Sequence, residues 1–396
     1  MTTDTATRPT RVLILTGDVD SNIGDQAILR ATCEDLRKIR PSIRIAAVSA
    51  AAELRIDANF IQPGPRGFIK LCREAASSDL VLCGGGGLFQ DDDSQVKMPY
   101  WALRILLVRL LCKRVIGYSL GVGPLHSKTG RFAARLAFSM MERVSARDPL
   151  GQQLAQTLTA KSVALVPDPA LHLVKTNGPA VRKYLETQSV PLSAPYLIGV
   201  AVRRWYPPQR RFIPQKNRTW FSGGKTELID ESKRLAAMLA EVLDELVRRH
   251  RAHILMMPSY CAPHEADRMM ASEIISRMEQ TGAQLLDVDD PALYKGIASE
   301  VSLMIGGRMH PTILAASSGT PVVGLAYNQK FQGLFQMLEI DEQLMDVVDF
   351  VQGAKILELT DIASAAMVGP NDCLQRAVTL ADQTQEFNRL LLGEAG

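Results

Sequence analysis

The 396-residue chain predicts an α/β fold: two Rossmann-like domains, each built on a parallel sheet, facing each other across a cleft. Three observations predict it. Short apolar runs alternate with longer amphipathic ones from end to end, the pattern of strands buried on both faces and joined by crossover helices. The length exceeds one ordinary core and suits two domains of roughly 150–200 residues. Finally, the alternation breaks once, at "KTNGPAVRKYLETQSVPLSAP" (175–195), and then restarts.

In the first half, strands are predicted at 11–16 (RVLILT), 43–49, 79–83, 114–119 and 163–167, with helices near 25–38, 67–77, 99–112 and 130–141. In the second half, strands are expected at 196–202, 252–258, 283–288, 301–306 and 321–326. The division is therefore a polar leader at 1–10, an N-terminal domain at 11–175, a linker at 176–195 and a C-terminal domain at 196–358. A helical segment at 359–396 is expected to cross back to the first domain.

Composition excludes several classes. An apolar fraction of 46% and a charged fraction of 22% are those of a globular protein, and a net charge of +3 argues against nucleic acid as a partner. The six cysteines are scattered with no C-x-x-C pair, as expected of reduced thiols; no metal site and no cofactor are assigned. The leader lacks the apolar core of a signal peptide, and no uncharged apolar run reaches 18 residues. The expected location is cytoplasmic.

Several segments carry polar residues where a strand meets a helix, the place where open α/β sheets bind ligands. After the first strand, "GDVDSNIGDQAI" offers Asn22, Gly24 and Asp25 at a helix N-terminus, a ready anion site, although Asn22 and Asp25 also read as turn and cap residues. The third strand leads into "GGGGLFQDDD", where Gly85 and Gly86 suit a loop whose backbone approaches a ligand closely. The acids behind it, Asp91 and Asp92, are candidates for a base. "SARDPLG" places Arg147 at a strand end, with Asp148 as an N-cap before Pro149; "PDPAL" has the same grammar and makes Asp168 another cap. "GVAVRRW" ends a strand with Arg203, followed by a long basic, aromatic loop over 203–225. "IGGRMHPTILAASSGTPVVGLAY" puts Arg308 and His310 after two glycines: an arginine for carboxylate or phosphate, a histidine for proton transfer. The segment "MPYWALRILLVRLLCKR" (98–114) reads either as a buried core helix or as a basic amphipathic helix for a membrane surface.

Taken in order, "NIGDQAI", "GGGGLFQDD", "GYSLGVGPL", "SARDPLG", "GVAVR" and "IGGRMHPTILAASSGTPVVGLAYNQKF" resemble the polysaccharide pyruvyl transferase family over roughly residues 11 to 340. The resemblance implies a GT-B-like pair of domains. It also implies transfer of a pyruvyl group from phosphoenolpyruvate to two hydroxyls of a sugar, with a ketal formed and phosphate released. It places donor binding on Arg147, Arg308, His310 and Arg203. Within that expectation His310 is the general acid/base and Asp91 or Asp92 orients the acceptor. The acceptor is a saccharide, free or lipid-linked, and a peripheral contact with the inner membrane face is part of the expectation; the oligomeric state is left open. Two rivals remain. One is a nucleotide-sugar glycosyltransferase of the same architecture, using "DVDDPALYKG" (287–296); the other is a non-catalytic anion- or sugar-binding protein.

Overall fold

The structure is a computed structural model that describes residues 10–50, 54–92, 94–112, 114–205, 230–260, 262 and 267–393. Its first half runs β1 (Arg11–Leu15), α1 (Ile23–Ile39), β2 (Arg44–Val48), β3 (Asn59–Ile61), α2 (Phe68–Ser77), β4 (Leu80–Phe89) and α3 (Lys97–Leu111). It continues with β5 (Val115–Val122), α4 (Lys128–Met140), β6 (Arg143–Ala146), α5 (Pro149–Gln156), β7 (Val163–Leu165) and α6 (Gly178–Thr187). The seven strands form one sheet in the order β3-β2-β1-β4-β5-β6-β7, parallel throughout. Every residue of β5 is buried, as befits a strand with helices on both faces.

The second half runs β8 (Tyr196–Ala201), α7 (Asp230–His250), β9 (Ala252–Met256), α8 (Asp267–Arg277), β10 (Ala283–Leu285), α9 (Pro291–Ala298), β11 (Leu303–Gly306) and α10 (Met309–Ala316). It ends with β12 (Val322–Ala326), α11 (Gln329–Leu338), β13 (Leu344–Asp346), α12 (Val347–Gly353), α13 (Ile356–Val368) and α14 (Cys373–Leu392). Its sheet is again parallel, in the order β10-β9-β8-β11-β12-β13. Both sheets reverse their winding once, between β1 and β4 and between β8 and β11, and the carboxyl ends of these strands are where such folds place their ligands.

Three features depart from the sequence reading. The glycine run does not leave the sheet: Gly84–Gly87 lie inside β4, which pairs with β5 as far as Phe89 through an irregularity after Gly86. β3 and β13 are three-residue strands, too short to show a period. The segment read as a linker holds α6, whose Asn177 cap accepts the Ala180 N–H and which buries the i, i+4 pair Val181 and Leu185.

The two halves share a core. Ile23, Ala27, Ile28 and Ala31 of α1 pack in one cluster with Met309 and Ile313 of α10. The Ile23 N–H bonds the Ser259 carbonyl at 3.0 Å, and Arg30 of α1 pairs with Asp290, the cap of α9, at 3.2 Å. α14 returns to the first half, where Leu391 and Leu392 join the cluster around Val12 and Ile14 and the Thr384 hydroxyl donates to the Pro167 carbonyl. Much of the 203–225 loop lies outside the described residues. Among those described, no helix is long and apolar enough to cross a membrane.

Candidate active site at the junction of the two halves

The site is assembled from strand ends of the first half and helix starts of the second. Arg147 leaves β6 with its N–H bonded to the Leu120 carbonyl, and its side chain is 4% exposed. Nη1 donates to Asp168 Oδ2 at 2.7 Å, and Nη2 lies 3.7 Å from Met309 Sδ in α10. Nε is buried and, among the described residues, has no hydrogen-bond partner. Asp168 is a cap, as the sequence implies, since Oδ1 accepts the Ala170 N–H. Its other oxygen does something the sequence did not disclose: it faces Arg147 and His310 together. Burial works to raise this carboxyl, but His310 and Arg147 beside it hold it well below the usual carboxylate range.

His310 sits in the first turn of α10 with Nε2 3.6 Å from Asp168 Oδ2, beyond hydrogen-bonding reach. Among the described residues, Nε2 has no hydrogen-bond partner. The other edge of the ring lies on the first turn of α1, where a β-carbon added at Gly24 would be 1.9 Å from Nδ1. The α1 start of one half therefore shapes the histidine pocket of the other.

Asn22 and Asp25 build that turn. Asn22 caps α1 by accepting the Gly24 N–H at 2.9 Å, and its amide donates to Asp25 Oδ2. Asp25 also accepts the Asp18 N–H at 2.9 Å, so the loop after β1 closes on this one buried carboxylate. Burial raises the Asp25 carboxyl, against the opposing charge of His310 and the Asp18 hydrogen bond. Gly86 has φ +95°, and a β-carbon there would meet Asp25 Oδ1 at 2.5 Å, so the glycine run admits the α1 turn rather than an open loop. Gly85, at φ +74°, likewise receives the Ile28 side chain of α1.

Lys330 stands in the first turn of α11, within "AYNQKF", where the sequence assigns it no role. It is buried, and its Nζ would lie 2.9 Å from a β-carbon at Gly87, so the ammonium reaches across to the glycine strand. Burial pushes it down to about 7, with Asp92 opposing and Arg147 reinforcing the shift. Asp148 caps α5 through the Gly151 N–H at 2.7 Å and packs against Gly333 of α11. Burial raises its carboxyl, and Lys330 is among the cations that pull it back.

Arg308 stands beside His310 in sequence but is held differently. Nε and Nη2 donate to Asp267, with distances from 2.5 to 3.2 Å, and the guanidinium lies over the Tyr260 ring. Asp267 also accepts the Tyr260 N–H at 3.0 Å, and the Tyr260 hydroxyl donates to Asp18 Oδ2 at 2.7 Å. This chain fastens the β1 loop to the second half. Neither Asp267 nor Tyr260 carried a sequence signal, because the helix that starts at Asp267 has no marked apolar stripe.

The remaining expected residues lie nearby in other roles. Asp91 accepts from the His126 N–H, the Ser127 N–H and the Ser127 hydroxyl, at 2.6–2.9 Å, and so is tied to the start of α4. Asp92 is partly buried and acts on Lys330. Arg203, at the end of β8, stacks over the Tyr327 ring at 4.7 Å. In the 287–296 segment, Asp290 is a helix cap, the buried Tyr294 donates to the Met257 carbonyl and the buried Lys295 to the Leu171 carbonyl; these side chains serve packing.

Known structures share the fold. HepE of Anabaena superposes over 97% of this chain and 100% of its own at a TM-score of 0.55 and 13% identity. A putative UDP-N-acetylglucosamine 2-epimerase of Listeria monocytogenes gives 0.59 at 13% identity, over 98% of each chain. Heptosyltransferase II of Escherichia coli gives 0.50 at 12% identity, over 90% of this chain and 99% of its own. At these identities the likeness establishes the two-domain GT-B fold and no more. In sequence, the amylovoran biosynthesis protein AmsJ of Erwinia amylovora is 24% identical over 296 residues, 72% of this chain and 65% of AmsJ, just under two thirds of that relative's length. Residues 22–329, from the Asn22 cap to the first residue of α11, match the family described as polysaccharide pyruvyl transferase, and the chain belongs to that family.

Proposed function

We propose that the chain transfers a pyruvyl group from phosphoenolpyruvate to two hydroxyls of one sugar, in a polysaccharide or its oligosaccharide precursor. The observation that carries the reading is that Arg147 and His310, from the two halves, meet on the Asp168 carboxylate, with Lys330 reaching Gly87 of β4 close enough to Arg147 for their charges to interact. Phosphoenolpyruvate bears a carboxylate and a phosphate, so its site needs at least two cations and a proton donor. Arg147 brings a buried Nε without a partner among the described residues, and Lys330 brings a second cation once a dianionic donor beside Nζ favours its charged form. Arg308, paired with Asp267, takes a secondary part: it holds the Tyr260–Asp18 link that closes the β1 loop.

The chemistry then runs in two additions. His310 delivers a proton to the methylene carbon of the enol phosphate, and C2 gains oxocarbenium character. One sugar hydroxyl forms a bond to C2 and gives its proton to the His310 imidazole, which restores the ring. The C2–O bond to phosphate breaks, and the second hydroxyl closes the ring, its proton leaving with phosphate. Nothing is oxidised or reduced. Asp168, held ionised, steadies positive charge on the imidazole when the ring carries the proton. Asp92 orients the acceptor diol.

The nucleotide-sugar alternative draws on neighbours such as HepE, whose structure holds UDP and glucose. Against it here, Tyr294 and Lys295 of the 287–296 segment are buried and bonded to backbone carbonyls. Calorimetric titration with phosphoenolpyruvate and with UDP-glucose separates the readings. We expect saturable binding of phosphoenolpyruvate that His310→Asn retains, while pyruvyl transfer falls by about 10²–10⁴. Binding of UDP-glucose with none of phosphoenolpyruvate would sink the proposal.

A further inference from the structure

The helices α3 and α4 lie side by side on the sheet face opposite α1, burying Ile105, Val108, Ala134 and Phe138 in one core. Their outward face is also apolar. Tyr100, Leu103, Leu106 and Leu110 follow a helical spacing along α3, and Phe132 and Leu136 stand one turn apart on α4. Leu103 is 68% exposed, Leu110 76% and Phe132 67%. Among the described residues, more than half of the exposed large hydrophobic side chains fall between residues 68 and 136, so this is a patch and not scatter.

The charge on these helices is one-sided. α3 carries Lys97, Arg104 and Arg109, α4 carries Lys128, Arg131 and Arg135, and neither contains an acid. The whole chain nets only +3, so positive charge is concentrated where the apolar patch is. At 15 residues α3 is too short to span a bilayer of about 30 Å. Apolar side chains ringed by long basic ones, with no acid among them, complement an anionic lipid surface: leucines and aromatics enter the headgroup layer while arginines stay among the phosphates.

We propose that the α3–α4 face docks the protein flat on an anionic bilayer. The N-termini of both helices point to the carboxyl end of the sheet, which carries the candidate site, and there the Ser127 cap of α4 is bonded to Asp91. Docking would therefore hold that end beside the headgroups, where a lipid-carried sugar is presented. The inference does not rest on the pyruvyl reading, because vesicle binding requires no substrate.

The test is flotation of the full chain with phosphatidylcholine vesicles and with vesicles of equal parts phosphatidylcholine and phosphatidylglycerol. We expect binding to the anionic vesicles, weakened at about 1 M salt, where the Debye length shrinks to ~3 Å. Leu103→Asp with Leu110→Asp should lower binding at least about tenfold, and Arg109→Glu with Arg135→Glu should abolish the preference for anionic lipid. All four positions are exposed, so melting temperatures should hold. Absence of wild-type flotation overturns the proposal. So does a wild-type dimer that Leu110→Asp converts to monomer while flotation is unchanged, which would make this face a contact between two copies.

Discussion

The His310 imidazole rests on the α-carbon of Gly24, in a space that a single methyl group would fill: a β-carbon at residue 24 would lie 1.9 Å from Nδ1. Gly24 stands in the first turn of α1, where alanine is the better helix former by about 1 kcal/mol. That gain cannot offset the overlap in Gly24→Ala, because Cβ of His310 also lies 2.7 Å from the added β-carbon and rotation of the ring does not move it. We expect α1 and α10 to shift apart, with a melting temperature lowered by about 4 °C or more and a loss of turnover of about 10² or more, because a catalytic group is displaced by over an ångström. Steady-state kinetics beside a thermal melt check this; unchanged turnover would remove His310 from the reaction.

Arg147 and Asp168 form a buried pair in which each is the other's compensation. Asp168→Asn leaves a guanidinium in the core facing a neutral amide, at a cost of roughly 3–5 kcal/mol. The pH profile should change as well. A carboxyl held below its unfolded value stabilises the fold fully above that value, near 3.9, and loses the contribution as pH falls through the folded one. Wild type should thus lose stability below about pH 4 more steeply than Asp168→Asn in urea denaturation. Equal slopes would mean that Asp168 is not ionised as described.

These residues mark the limit of what could be read in advance. The alternation of apolar runs exposed both sheets, because strands buried on two faces announce themselves by composition alone. Arg147, His310 and the α1 turn were legible because strand-end positions are stereotyped in such sheets. Asp168 was legible only by half: the cap is written in "PDPAL", but its second oxygen meets residues from 21 and 142 positions away, and no local pattern carries that. The glycine run misled for a related reason. Four glycines read as a loop, yet they continue β4, and what requires them is the approach of Asp25 and Ile28 from α1. Lys330 was missed because a lysine in a helical first turn is ordinarily exposed; only the packing of α11 against the first half buries it.

Asp91 and Asp92 are neighbours in sequence and should behave as opposites. Asp91 satisfies three donors at the start of α4, so Asp91→Ala should cost roughly 2–3 kcal/mol of stability, with kcat altered only a few-fold in the fraction that folds. Asp92 faces the Lys330 charge, and Asp92→Asn should leave stability within about 0.5 kcal/mol while lowering turnover. Chemical denaturation and initial rates on the two variants give the comparison. Full activity in Asp92→Asn would withdraw it from the acceptor side.

Lys330 gives the sharpest dependence on pH. Its folded value of about 7 lies below the ordinary 10.4 or so, since burial disfavours the ammonium more than Asp92 supports it. Between these values the unfolded chain holds a proton that the folded chain has released, so stability rises with pH from about 7 to about 10, a slope that Lys330→Met should remove. A dianionic donor beside Nζ reverses the balance by favouring the charged form. Phosphoenolpyruvate should then bind with uptake of a proton above pH 7, and its affinity should fall as pH rises towards 9. Lys330→Arg, charged throughout, should bind with no such decline. Calorimetry in two buffers of different ionisation enthalpy measures the proton count directly. Flat affinity over that range in wild type would place the donor elsewhere than against Lys330.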